Sequence, residues 1–351
     1  MTYILSQFDD LTLVSARQPD PEAFTLCAIG RNEMFFLPAF LEHYRKLGVE
    51  QFAILDDRSD DGTLEYLLAQ PDVVVFHSRF AYGDTVKLPS ALSDQINSGR
   101  ILYIWRALFF NRFARRGWAV QVDLDEFIHL PAGKRFQDIA LQLETEGSTV
   151  AYGLMLDVYP TDIAALGAQA HDREIDMGAA WYFDGEPHFR LRQNASPKVL
   201  HPGARARLYR AYGTDRLYAE LGLPVPQYRN WVHRMRKTRF GTRIPFYNAM
   251  QKPVLAHWSD EAIFTSSHNV NVPVSSSMLI PFQHFRFSGA LYAKIDMALT
   301  ENSYSSGSRD HRLLTDLLAR MKETDGSFLY KKSQPVTGHA GFEAARVAFG
   351  L

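Results

Sequence analysis

Residues 120–131 read VQVDLDEFIHLP, and this stretch decides how the rest of the chain is understood. The spacing predicts a short apolar strand over Trp118–Val122 that ends in three carboxylates, Asp123, Asp125 and Glu126. Alternation along an extended segment would set Asp123 and Asp125 on one face and Glu126 on the other. Two carboxylates on one face, at the carboxyl end of a strand, form a seat for a hard divalent cation and the phosphate oxygens it carries. A lone D-x-D more often just terminates a strand and solvates a loop, so its meaning depends on the sequence before it.

That upstream sequence alternates strand and helix. Phe24–Ile29 reads as a buried strand closed by Gly30-Arg31-Asn32-Glu33. Phe36, Leu37, Phe40, Leu41, Tyr44 and Leu47 follow at helical spacing, with Gly48 as the stop. Val49–Leu55 is the next strand and runs into DDRSDDGT, where Asp60 or Asp61 can cap a helix carrying Leu64, Leu67 and Leu68. A third strand over Asp72–Phe76 and a helix over Ile101–Arg116, ended by Gly117, lead back to the carboxylate strand. Such alternation predicts an α/β fold, a mostly parallel Rossmann-like sheet flanked by helices. Ligands bind such sheets beyond the carboxyl ends of the strands, where Gly30–Glu33, Asp56–Asp57 and Asp123–Glu126 all fall.

Downstream, a helix over Phe136–Glu144 and an apolar strand over Val150–Val158 are predicted. The pattern is weaker over Asp162–Pro253, a region suited to specificity loops, and a C-terminal helix is predicted over Arg309–Lys322. The chain therefore divides into an N-terminal extension (1–23), a half of regular strand–helix alternation (24–131), a less regular half (132–290) and a C-terminal helical segment (291–351).

A length of 351 residues suffices for one large domain or two small ones, and 46% hydrophobic with 22% charged residues is ordinary globular composition. The net charge of -1 gives no general attraction to nucleic acid or to an acidic membrane. The basic run RMRKTRFGTR, Arg234–Arg243, is read as a solvated face, with contact to anionic lipid or a phosphate-bearing substrate as its functional reading. One cysteine, Cys27, rules out a disulfide within the chain and fits a reducing cytoplasm. With no signal-like N-terminus and no apolar run near the roughly 20 residues that span a bilayer, the expected location is cytoplasmic, at most peripheral at the inner face of the membrane.

The segment Asp57–Gly62 imitates the start of an EF-hand calcium loop, but position 12 would be Leu68 and a strand precedes it, so calcium binding is rejected. Ser59–Gly62 is read as a capped strand-to-helix turn, with function assigned to Asp56 and Asp57. Packing is the default for Trp105, His43, Tyr44 and most of Trp181, Tyr182, Phe183, Trp231 and Trp258.

The ordered pieces GRNE, HYRKLGV, DDRSDDGT and VDLDEF resemble family 2-like glycosyltransferases of the GT-A fold, and the bacterial subgroup related to family 92 most of all. The likeness is clear over residues 25–131; KPVL (Lys252–Leu255), Ser267-His268-Asn269 and His284-Phe285-Arg286 look like the same subgroup's C-terminal part. The resemblance implies a nucleotide-sugar donor, usually a uridine diphosphate sugar, and Mn²⁺ or Mg²⁺. By matched position it puts Arg31 and Glu33 near the nucleotide, and Asp57 or Asp56 at the uracil or ribose. It puts Asp123 at the ribose or the metal, Asp125 on the metal directly, and His268 as a late histidine completing the metal or diphosphate site. His284 and Arg286 lie in an aromatic run where packing competes with contact to diphosphate or acceptor.

Sugar transfer needs stabilisation of charge growing on the departing diphosphate, and an inverting enzyme needs a base for the acceptor hydroxyl. Candidate bases are Asp157, Asp184, Glu186, Asp260 and Glu261; Asp157 is preferred because a strand end holds a side chain more rigidly than a loop does. The expected partners are the donor and a saccharide or lipid-linked acceptor, in surface polysaccharide or glycoconjugate synthesis. The competing readings are a haloacid-dehalogenase-like phosphatase using Asp123 and Asp125, a nucleotidyltransferase, and a non-catalytic sugar-binding protein. The first normally carries its motif on the first strand, and the second a Gly-rich basic loop that GRNE lacks.

Overall fold

Apolar side chains on both faces of consecutive strands force those strands into the middle of a layered structure. In the computed structural model Thr25–Gly30 (β2), Gln51–Asp56 (β3) and Val73–His77 (β4) are such strands, preceded by a short edge strand, Thr12–Leu13 (β1). Leu26, Ala28, Phe52, Ile54, Val73 and Val75 point to one face. Cys27, Ile29, Ala53, Leu55, Val74 and Phe76 point to the other. The structure describes residues 8–90, 99–186, 189–192, 195–199, 203–212, 250–266, 268–301 and 305–351.

Helices Leu37–Lys46 (α1), Thr63–Leu68 (α2) and Ile101–Phe113 (α3) follow the first strands. Ala119–Gln121 (β5), Glu126–Ile128 (β6), Phe136–Glu146 (α4) and Val150–Asp157 (β7) continue the chain. Next come Ile163–Gln169 (α5), Tyr182–Asp184 (β8), Phe189–Arg192 (β9), Ala195–Val199 (β10) and Gly203–Ala211 (α6). Gln251–Ala256 (β11), Phe264–Ser266 (β12), Asn269–Val270 (β13) and Leu279–His284 (β14) precede Leu291–Glu301 (α7) and Ser305–Glu323 (α8). Ser333–Pro335 (β15) and His339–Ala344 (α9) end the fold. The α1 and α4 side chains cover one face and α3 covers the other, while α5, α6, α7 and α8 build a separate apolar cluster around Tyr159, Phe287 and Phe328.

The described residues form an α/β structure around a nine-stranded mixed sheet of order β1-β4-β3-β2-β5-β11-β7-β14-β6. The expectation of a mostly parallel sheet needs correction. Only the β4-β3-β2-β5 and β7-β14 neighbours are parallel, while β11 runs antiparallel to both β5 and β7. Because β11 is antiparallel to both, β5 and β7 share one direction, and the carboxyl ends of β2, β3, β4, β5, β7 and β14 all emerge at the same edge. Lys252, near the amino end of the reversed β11, arrives at that edge too.

Asp123 and Asp125 of VDLDEF do not lie on a strand, and Glu126 opens β6 rather than continuing β5. β5 ends at Gln121, and β6 pairs with β14 at the opposite edge of the sheet. Residues 122–125 bridge the two, closed by a turn in which the Glu126 amide donates to the Asp123 carbonyl at 3.0 Å. The expected opposition of Glu126 to the two aspartates therefore fails: its side chain folds back and accepts the Asp123 amide at 2.8 Å. Among the described residues no helix is long and apolar enough to cross a membrane. Trp231 and the basic run 234–243 lie outside the described residues.

Candidate active site

An open, solvent-exposed cleft lies at the shared carboxyl edge. Its walls are the loop after β2, the loop after β3, the 122–125 bridge, the end of β14 and the helix α7.

The first two loops are knitted together by the acidic segment that imitates a calcium loop. Asn32 donates its amide to Ser59 Oγ at 2.9 Å and its side-chain nitrogen to Asp60 Oδ1 at 2.8 Å. The Glu33 amide donates to Thr63 Oγ1 and the Met34 amide to Asp61 Oδ2, at 2.9 and 3.1 Å. Asp60 and Asp61 thus hold the loop carrying Arg31 and Glu33, both of which line the cleft. Of the aspartate pair, Asp57 lines the cleft and accepts the Tyr82 amide at 2.9 Å. Burial raises its carboxyl above the ordinary range, with the Tyr82 amide working against the rise. Asp56 is turned inward, where its Oδ2 accepts the Ser59 amide at 3.3 Å, and it does not line the cleft.

Each carboxylate of the bridge has a cation of the protein's own. Arg106 Nη2 donates to Asp123 Oδ1 at 2.8 Å. Lys252 Nζ donates to Asp123 Oδ2 and to Glu126 Oε2, each at 2.7 Å. Burial would raise the Asp123 carboxyl, but Lys252 and Arg106 outweigh it and hold the group well below the usual carboxylate range. The Asp123 side chain is still 39% exposed, which leaves it within reach of a ligand. Asp125 is buried, and Lys294 Nζ from α7 lies 3.0 Å from its Oδ2 and 3.0 Å from Glu33 Oε1. Against burial, Lys294 and His284 lower the Asp125 carboxyl. Burial dominates at Glu33, whose carboxyl is pushed up to about 7 despite Lys294.

His284 and Asp157 are register partners on the parallel strands β14 and β7. His284 Nδ1 stands 2.6 Å from Asp157 Oδ1, and Arg205 Nε donates to Asp157 Oδ2 at 2.7 Å. Nδ1 thus faces the Asp157 carboxylate, and Nε2 lies on the cleft side, 3.8 Å from Asp125 Oδ2. This corrects the preference for Asp157 as the base. It is buried behind His284, does not line the cleft, and both its oxygens are engaged. Burial opposes its ionisation, yet Arg205 and His284 hold it well below the usual range. Asp184 is likewise committed, to Arg207 and Tyr159, and Glu186 to Tyr330 and Lys332. Asp260 is paired with Arg115.

The residues expected to seat a divalent ion do not converge. His268 gives Nδ1 to the Gln251 carbonyl at 2.9 Å, and burial, helped by Lys252 and Arg106, pushes its imidazole down to about 3. It does not line the cleft. Asp123 is taken by Arg106 and Lys252, and Asp125 by Lys294. Among the described residues no three carboxylate, imidazole or thiolate groups gather around one point. The side chains present therefore do not fit a metal cage.

Several buried polar atoms around the cleft lack hydrogen-bond partners: Arg31 Nε, Glu33 Oε2 and Arg286 Nε. Arg286 Nη2 is tied to Asp310 at 2.7 Å, so its guanidinium is held in place with Nε unsatisfied. Other unpartnered buried atoms lie elsewhere in the fold, but these three belong to residues that line the cleft. Trp181, Phe183 and Trp258 are buried in the core. Sequence reasoning missed Arg106 and Lys294 and quoted Lys252 only as part of KPVL. A lone charge inside the apolar run ILYIWRALFF was the available signal for Arg106. Lys294 carried none.

In open α/β sheets ligands bind beyond the carboxyl ends of the strands, and this charged cleft lies at that edge. No protein-family model matches the chain. Over 143 residues, 38% of this chain and 22% of the other, it is 27% identical to a glycosyltransferase family 92 protein of Ricinus communis. Over 148 residues, 36% of this chain and 22% of the other, it is 26% identical to a glycosyltransferase family 92 protein of Oryza sativa subsp. japonica. The matched stretch thus spans about a fifth of the length of these curated relatives.

Proposed function

We propose that the protein is a glycosyltransferase of GT-A type that moves a sugar from a nucleoside diphosphate, uridine diphosphate first among candidates, to a hydroxyl of a saccharide or glycolipid acceptor. The observation that carries this reading is the convergence of Arg31, Glu33, Asp57, Asp123, Asp125 and His284 on one cleft, in a chain similar to family 92 glycosyltransferases. Asp57 and Asp123 supply acceptors for the nucleoside's base and ribose. Arg31 and Arg286, each with an unsatisfied Nε, supply donors for the diphosphate.

In the proposed reaction the acceptor oxygen attacks the anomeric carbon as the bond from that carbon to the diphosphate oxygen breaks. The acceptor's proton passes to His284 Nε2, whose ring Asp157 orients through Nδ1. The electron pair of the broken bond leaves on the nucleoside diphosphate, which the cleft's cations stabilise. In-line attack of this kind inverts the anomeric centre. The role fits synthesis of surface polysaccharide or glycoconjugate.

The phosphatase alternative is disfavoured because Asp123, its nucleophile, is bound by both Arg106 and Lys252. The test is release of free nucleoside diphosphate from a panel of uridine, guanosine, adenosine and cytidine diphosphate sugars, with and without simple saccharide acceptors. One base should stand out, and Asp125→Asn should reduce its turnover by about 10²-fold or more while leaving the fold intact. Full activity in that variant, or no release from any donor, would sink the reading.

A further inference from the structure

Resting on the donor reading above, we infer that Lys294 takes the part of a divalent cation: its ammonium meets the charge of the nucleoside diphosphate, and donor binding needs no metal ion. α7 delivers Lys294 to the cleft wall, where Nζ bridges Asp125 Oδ2 and Glu33 Oε1 at 3.0 Å each. That is the point from which a hard ion would bind these oxygens, and 3.0 Å is the distance for an ammonium hydrogen bond rather than a metal bond of 2.0–2.6 Å. The ammonium also lies 5.0 Å over the Phe36 ring, a second attraction fixing it there.

The remaining carboxylates of the bridge are provided for in the same way. Lys252 and Arg106 stand on Asp123, and Lys252 on Glu126, so the protein has met each acidic group with a cation of its own. A divalent ion on Asp125 would have to displace Lys294 or stand beside it against like-charge repulsion. A diphosphate carries the charge opposite to that of Lys294. It can approach Lys294 from the cleft and place its other oxygens on the unsatisfied Nε of Arg286 and Arg31.

The experiment is a thermal-shift titration of wild type, Lys294→Ala and Lys294→Arg with uridine, guanosine and adenosine diphosphates, in EDTA and in Mn²⁺. Binding to the folded state alone raises the midpoint, so each arm reads an affinity. The expected result is equal stabilisation of wild type in both buffers and retention in Lys294→Arg. Lys294→Ala should bind at least about tenfold more weakly in EDTA, the scale of a lost charged hydrogen bond. A shift in wild type that requires Mn²⁺ overturns the inference and leaves the donor reading standing. No shift with any nucleotide in either buffer overturns the donor reading and this inference with it. The wild-type comparison decides these outcomes even if Lys294→Ala fails to fold.

Discussion

Asp157 shows how burial and partners select one role among several that a carboxylate can take. It stands at a strand end beside the cleft, the place where a base was expected, yet Arg205 and His284 claim both of its oxygens. A carboxylate held so low is a poor proton acceptor and a good fixed charge, which suits it to orienting an imidazole. Asp157→Asn should therefore act twice. It leaves the buried Arg205 without its nearest counter-charge, costing about 3 kcal/mol of stability, read as a lower denaturant midpoint. It also frees the His284 ring to adopt the wrong tautomer, which should lower kcat by roughly 10²–10⁴-fold with little change in KM. His284→Gln should lose the same kcat with a smaller loss of stability. If Asp157→Asn loses stability but keeps kcat, the proton goes elsewhere and Asp157 is only structural.

Among the elements, the 122–125 bridge does most to define the cleft, and its position depends on Gly30. A Cβ at Gly30 would lie 2.4 Å from Leu124 Cδ1 and 3.1 Å from Glu33 Cγ. Leu124 is buried between the two aspartates, so its side chain has little room to yield. Gly30→Ala should cost about 1–3 kcal/mol through overpacking. Nucleotide affinity should fall by more than that destabilisation explains, as titration of the folded variant would show. Unchanged affinity would mean that the bridge can shift without disturbing the cleft. The strands around this bridge were legible because β2, β3 and β4 carry unbroken apolar runs bounded by Gly and Asp. The loops after β2 and β3 were legible as well, since a strand followed by an acidic turn leaves little else for those residues to do. What could not be read was β11's reversed entry between β5 and β7, or the passage of the D-x-D segment to the far edge. Both are set by pairing between residues distant in the chain. His268 and His284 look alike as late histidines; only the pairing of β14 with β7 on one side and β6 on the other brings His284, and not His268, to Asp157 and Asp125.

Across the whole molecule, the cleft gathers groups from the first strand loop to α7, so its charge balance is a property of the fold as a unit. Glu33 is where that balance is least settled. Burial raises its carboxyl from an ordinary 4.5 to about 7, even with Lys294 at 3.0 Å. Between those two values the folded chain binds more protons at this site than the unfolded chain does. Stability from Glu33 is therefore complete below pH 4.5 and is lost as pH rises through about 7, by up to about 3 kcal/mol. The buried imidazoles of His43, His268 and His311 work in the opposite sense. Burial depresses them to about 4, about 3 and about 4, so they favour the folded state more as pH rises towards 6.5. Asp123, Asp125 and Asp157, all lowered from 3.8, change the balance only in more acid solution. The wild-type curve alone thus mixes opposing slopes, and the difference between wild type and Glu33→Gln isolates one of them. Denaturant unfolding of both proteins from pH 4.5 to pH 8 should show Glu33→Gln gaining on wild type as pH rises, with the change spread between pH 4.5 and about 7 and the curves parallel above it. Curves parallel throughout would mean that Glu33 keeps an ordinary carboxyl, fully ionised beside Lys294, and that the cleft holds one more negative charge than burial alone would allow.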